Sequence, residues 1–115
     1  NPRKALSTAK VFSAVKEKNN SGLNLQGSGE KSLNSWFDWI NSMRNDLTAS
    51  AIDLIPDIRF ILDKLITCDG ARVVRMSGSG ATCFALFEDF DLLQDAKLKI
   101  MKEFPSFWCE SGELI

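Results

Sequence analysis

The 115-residue chain fits one domain with a modest core, and its 44% hydrophobic and 25% charged residues are those of an ordinary globular protein. A formal net charge of −1 argues against a nucleic-acid partner held by bulk electrostatics. No apolar run approaches the ~20 residues that span a bilayer, and Asn1–Ala5 lacks the apolar centre of a signal peptide.

Residue usage excludes more. There is no histidine, which removes catalytic triads built on histidine and the commonest metal ligand. Cys68, Cys83 and Cys109 form no C-x-x-C pair, so neither a zinc site nor a redox dithiol is expected. They read as reduced, structural thiols of a cytoplasmic protein.

In chain order, Ser7 or Thr8 can cap a first helix running to about Lys18, with Val11, Phe12 and Val15 on one face. Asn19 to Ser32 is rich in Asn, Gly and Ser and reads as a long exposed loop, either a lid or simply mobile. Leu33, Trp36, Phe37, Ile40 and Met43 follow the spacing of an amphipathic helix, with Trp39 off the stripe. Asn45-Asp46 breaks it and caps the next helix, which turns Leu47, Ala51, Leu54 and Ile55 inward. A metal-holding or hydroxyl-holding role for the pair is the costlier alternative. Pro56 opens a further helix carrying Ile58, Ile61, Leu62 and Leu65, closed by Asp69-Gly70.

The period then changes. Arg72 to Met76 and Thr82 to Glu88 read as strands. Asp89 or Asp91 caps a last helix with Leu93, Ala96, Ile100 and Phe104, stopped by Pro105. Phe107 to Glu110 reads as a third strand. The expected class is α+β: a small antiparallel sheet with helices mainly on one face. A further strand ahead of Asn1 would balance the sheet, so the first strand is expected to be truncated.

The stretch Met76-Ser77-Gly78-Ser79-Gly80-Ala81-Thr82-Cys83-Phe84 carries most of the information. As a dinucleotide fingerprint it fails, because the third glycine would fall on Cys83 and the turn leads into a strand. It is not a Walker A loop, having no lysine between Arg75 and Lys97. Nor is it a nucleophile elbow, since Ser77 stands where the first glycine should be. The plain alternative is a tight β-hairpin. Six small residues in a row, Ser77 to Thr82, exceed what a hairpin needs and suggest close approach of a phosphate or of another backbone. Arg75 could pair with a phosphate or with a neighbouring carboxylate.

Together with Asn1-Pro2, Leu6–Phe12 and Asn45-Asp46-Leu47, the Arg75–Phe84 stretch resembles the GHMP kinases, small-molecule kinases named for galactose, homoserine, mevalonate and phosphomevalonate. The likeness is to the cytidyl-specific branch and covers most of Asn1 to Phe87.

The resemblance implies a ferredoxin-like C-terminal domain over residues 1–115, whose N-terminal catalytic, ATP-binding domain lies outside this chain. The implied parent uses ATP and Mg2+ to phosphorylate a hydroxyl of cytidine-diphosphate methylerythritol in non-mevalonate isoprenoid synthesis. On that basis Ser77, Gly78, Ser79, Gly80 and Ala81 line the cleft and support the other half's phosphate loop, and Arg75 is a candidate electrostatic helper. The family's catalytic lysine and aspartate, and its phosphate loop, have no counterpart here. The chain alone is therefore expected to be inactive, to bind no cofactor and to have its own missing domain as partner. Gly80→Val is expected to cost the parent most of its turnover while leaving the fold largely intact. A stand-alone ferredoxin-like regulatory or ligand-binding module without catalysis is the alternative.

Overall fold

A computed structural model describes residues 1–4, 6–13 and 32–113. The expectations for Val15, for the first helix beyond Ser13 and for the loop as far as residue 31 lie outside the described residues.

The elements are α1 (Thr8–Ser13), α2 (Leu33–Ser42), α3 (Thr48–Leu54), α4 (Asp57–Ile66), β1 (Ala71–Met76), β2 (Cys83–Phe87) and α5 (Phe90–Glu103). Caps set several boundaries. Ser7 precedes α1, and its carbonyl accepts the Val11 N–H at 3.1 Å. The Ser32 hydroxyl accepts the Ser35 N–H at 3.2 Å to start α2, and Asp89 accepts the Leu92 N–H at 3.0 Å to start α5. Pro56 stands just before α4 with φ −58°, already helical, where a missing N–H costs nothing.

The apolar stripes face inward largely as their spacing requires. Phe37 of α2, Ala51 of α3, and Ile58, Ile61 and Leu62 of α4 are buried, as are Ala96 and Ile100 of α5. Leu33 and Leu54 fall at stripe ends and stay exposed. Trp39 sits edge-on to Trp36, with ring centroids 5.2 Å apart. The central cluster joins Val11, Ala51, Ile55, Ile58, Leu62, Met76 and Ala81, so α1, α3, α4 and the end of the hairpin share one core. Fully burying Ile58 contributes on the order of 2–3 kcal/mol.

β1 and β2 pair antiparallel, with Val74 opposite Ala85, Arg75 opposite Phe84 and Met76 opposite Cys83. A bulge falls between Ala71 and Val73. It leaves Arg72 as the extra residue and re-aims its side chain. The guanidinium sits 4.7 Å over the Phe37 ring and bonds Glu88 Oε2 and Asn34 Oδ1, each at 2.7 Å. This pins α2 to the hairpin.

The two edges of the sheet are treated differently. Ser77 donates to Thr82 O at 2.8 Å, so antiparallel alternation turns the carbonyl of Met76 away from β2. That carbonyl accepts Asn45 Nδ2 at 3.2 Å, and the Arg72 carbonyl accepts Asn41 Nδ2 at 2.9 Å. Side-chain amides from α2 and the turn after it thus cover the outer edge of β1. The same alternation points the backbone groups of Cys83 and Ala85 out of the opposite edge.

The expected third strand at Phe107–Glu110 does not form: the described segment after α5 is irregular. Pro105 and the stacked Phe104 and Phe107 rings, 4.9 Å apart and 3° from parallel, turn the chain sharply. A ladder also needs a neighbour, and this segment has one residue of it. Asn1 and Trp108 exchange backbone bonds in both directions, each at 2.8 Å. The sheet of the described residues therefore has two strands, in an α+β arrangement.

Candidate functional site

The glycine turn projects from the end of the hairpin on a braced base. The Gly80 N–H donates to Ser77 O at 3.0 Å, closing the tip. Gly78 and Gly80 have φ of +54° and +88°, in the region that L side chains avoid. A cis peptide bond joins Gly80 to Ala81.

The five residues expected to line a cleft divide into two groups. Ser77 and Gly78 are exposed and Ser79 is half-buried, so these three form the outer rim. No hydrogen bond among the described residues uses the N–H of Gly78 or Ser79. Adjacent free N–H groups around a left-handed glycine form a concavity suited to an anion or a carbonyl oxygen. Gly80 and Ala81 face the other way. Ala81 belongs to the core cluster, and a Cβ on Gly80 would lie 2.9 Å from Met76 Sδ and 3.3 Å from Leu6 Cδ2. Close packing of small residues here serves the protein's own core.

That placement corrects one expectation. Valine at Gly80 would collide with Met76 and Leu6 and force an unfavourable φ, so it cannot leave the fold largely intact. Gly78 has nothing within 4 Å of its would-be Cβ and is the position that reports on the rim alone.

Three side chains hold the rim from outside the hairpin. Asn45 Nδ2 donates to Gly78 O at 2.8 Å as well as to Met76 O, while its Oδ1 accepts the Leu47 N–H at 3.0 Å. Asn45 was expected to cap a helix, with a metal-holding or hydroxyl-holding role as the costlier alternative. It does brace the start of α3 and, in addition, latches the turn from more than thirty residues away. The Thr8 hydroxyl lies 3.1 Å from the Ser79 hydroxyl, bringing the start of α1 to the rim. Asn1 Nδ2 donates to Thr82 Oγ1 at 2.8 Å. Short polar residues far apart in sequence carry no local signal of such contacts.

Arg75 is not aimed at the rim. Its Nη1 donates to Ile40 O at 3.1 Å, at the C-terminal end of α2, where a cation complements the helix dipole. Asp46 pairs with Arg44 at 3.0 Å rather than entering the turn. Below the rim, burial pushes the Cys83 thiol up to about 11. All three cysteines are free thiols. Among the described residues no group of three or more His, Cys, Asp or Glu side chains could hold a metal ion.

The GHMP kinases C terminal family matches residues 24–106, which contain α2 through α5 and the whole glycine turn. The chain belongs to this family. Curated relatives carry a more specific name. The 4-diphosphocytidyl-2-C-methyl-D-erythritol kinase of Rhizobium etli (strain CIAT 652) is 38% identical over 118 residues, covering 100% of this chain and 38% of the relative. The kinase of the same name from Agrobacterium fabrum is 38% identical over 115 residues, again 100% of this chain and 38% of the relative. That from Anaplasma phagocytophilum is 38% identical over 116 residues, 99% of this chain and 38% of the relative. The chain thus spans well under half the length of the relatives it matches. No solved structure matches it. Among the described residues no helix is long and apolar enough to cross a membrane.

Proposed function

We propose that the parent of this GHMP kinase domain is an ATP-dependent kinase that phosphorylates a hydroxyl of 4-diphosphocytidyl-2-C-methyl-D-erythritol, and that residues 1–115 form its single C-terminal domain. The observation that carries the reading is the glycine rim, where the Gly78 and Ser79 N–H groups at a left-handed turn bond to nothing among the described residues, in a chain matched end to end by kinases of that name.

ATP supplies the phosphoryl group, and its transfer needs positioning and charge stabilisation more than covalent help. Ser77, Gly78 and Ser79 present the rim toward the cleft, where the N–H groups of Gly78 and Ser79, which bond to nothing among the described residues, suit phosphate oxygens or the carbonyls of a phosphate-binding loop. Gly80 and Ala81 anchor that rim to the core. Arg75 acts indirectly, by fixing the end of α2, from which the chain runs through Met43 and Arg44 to Asn45, the residue that latches the turn. Residues that hold Mg2+, and those that activate the hydroxyl, belong to the remainder of the parent. The domain bound to that remainder works in the cytoplasm.

The test is phosphorylation of the diphosphocytidyl substrate by the parent protein, with ATP labelled at the γ position, beside the 115-residue chain alone. Label transfer by the parent and none by the chain is the expected result. Absence of transfer by a folded, ATP-binding parent would sink the substrate assignment.

A further inference from the structure

Helix α5 packs against β2 and α4 through a side that buries Ala96 and Ile100. Its outer side carries Asp91, Asp95, Leu98 and Lys102. Their spacing of four, three and four residues is that of the seam one helix offers another. Leu98, on that seam, is 67% exposed, more than any other large apolar side chain described. Met101 flanks it, also exposed.

The charges on this side are sorted along the helix. Asp91 and Asp95 occupy the N-terminal half, Lys99 and Lys102 the C-terminal half. Complementing the helix dipole accounts for Asp91 and Lys102, which lie in the first and last turns. It does not account for Asp95 and Lys99, because that effect fades within a turn of either end. Nor do these charges serve the domain itself. The ion pairs of α5 run from Lys97 to Glu110 and from Glu103 to Lys64. Asp91, Asp95, Lys99 and Lys102 enter no ion pair among the described residues.

A helix face that is acidic at one end and basic at the other complements itself when reversed. Two α5 helices laid antiparallel about a two-fold axis level with Lys97 bring Asp91 opposite Lys102 of the second copy and Asp95 opposite its Lys99. Leu98 then meets its own counterpart, offset by about 3 Å along the axis at 1.5 Å rise per residue. Beside the seam, Asp69, Leu92, Leu98 and Lys102 line part of a shallow hollow of about 380 Å³, which leaves room for side chains of the second helix.

We propose that this face is a self-association surface: two copies of the parent protein pair through α5 against α5, antiparallel, with Leu98 at the centre and acid–lysine pairs on either side. The contact is the same patch on both copies, so it closes as a dimer and does not propagate. From Asp91 to Lys102 the seam is roughly 17 Å long, so the buried area is small and the dimer is weak and salt-sensitive. A parallel pair is disfavoured, since it sets acid beside acid and lysine beside lysine. An unrelated partner would have to supply the matching pattern, which a second copy carries already. The surface is the same whatever the parent phosphorylates.

Sedimentation velocity on the parent protein tests it, over a concentration range of about 100-fold. Wild type should shift from monomer to dimer. Raising ionic strength from about 0.1 M to 1 M, which cuts the Debye length from about 10 Å to 3 Å, should weaken the dimer on the order of 10-fold. Asp91→Lys with Asp95→Lys makes the seam wholly basic, and Lys99→Asp with Lys102→Asp makes it wholly acidic. Each of these variants alone should stay monomeric, and an equimolar mixture of the two should recover a dimer. Recovery cannot come from misfolded chains. Where a charge variant does not fold by circular dichroism, Leu98→Ala carries the test: it removes only exposed surface from a single copy and should weaken the dimer by roughly 10-fold. A parent that stays monomeric throughout overturns the proposal, and means that water or the rest of the parent covers α5. So does a dimer that the charge variants and Leu98→Ala leave unchanged, which would place the interface elsewhere. Folded charge variants that fail to pair when mixed overturn it too.

Discussion

Gly78 and Gly80 stand two residues apart, share a left-handed backbone and do different work. Gly78→Ala should cost about 1 kcal/mol, the left-handed penalty alone, because its Cβ meets open space. Gly80→Ala should cost roughly 2–4 kcal/mol, since overpacking against Met76 and Leu6 adds to that penalty. Denaturant midpoints of the two variants measure the difference. In the parent, Gly78→Ala is the informative variant for turnover: a loss there with stability nearly retained implicates the rim. Wild-type turnover would remove the rim from the mechanism.

The half-buried Cys83 thiol makes a prediction about pH. Its folded value of about 11 lies above the ordinary 9.0, so between these values the folded state holds a proton that the unfolded chain has lost. The contribution of this thiol to stability is thus fully present below pH 9 and is lost as pH rises toward 11. Cys83→Ser should flatten the alkaline fall in melting temperature, and iodoacetamide labelling of Cys83 should lag an unfolded control at pH 8–9.

At the scale of elements, the hairpin is held by helices that precede it by more than thirty residues. Asn45 links the start of α3 to β1 and the rim through three hydrogen bonds. Asn45→Ala should cost about 1–3 kcal/mol, because the Met76 carbonyl loses its partner in a part-buried site. Asn45→Asp keeps the acceptor for Leu47 but faces two carbonyls with a carboxylate, so it should be no better than alanine. Thermal melts order the variants, and faster exchange of the Ser77 and Gly80 amides localises the loss. Stability of Asn45→Asp equal to wild type would remove the latch from the account.

Across the whole molecule, one core ties the site to the scaffold. Ile58 is fully buried, belongs to the cluster that includes Ala81, and approaches to 3.5 Å of the would-be Gly80 Cβ. Ile58→Ala should cost about 2–5 kcal/mol. Unfolding followed by helical circular dichroism and by exchange at the rim should shift together, since α3, α4 and the turn rest on the same side chain. Separate transitions would show the rim to be an independent unit.

Much of this architecture was legible in the order of residues, and the reasons are local. Asp89 announces α5 through a short-range hydrogen bond, Pro56 marks the start of α4, and the stripe Ile58, Ile61, Leu62 follows from helical period alone. The change of period at Ala71 and the run Ser77–Thr82 likewise mark two strands and an unusual turn, because β-branched crowding and glycine's freedom act within a few residues. What the residue order could not settle was everything that depends on a distant neighbour. Phe107–Glu110 has the composition of a strand and remains irregular, because among the described residues Asn1 alone offers it ladder-type backbone bonds. Arg75 looks poised beside the turn and instead bonds the end of α2. Gly80 and Ala81 read as cleft residues and pack into the core, while Asn45, read as a cap, proves to be the latch. Composition and period determine which segments can be helix, strand or turn, since those energies arise within a few residues of chain. Which side of the turn faces water, which carbonyl an amide reaches and which sheet edge stays bare are decided only when separate elements pack together.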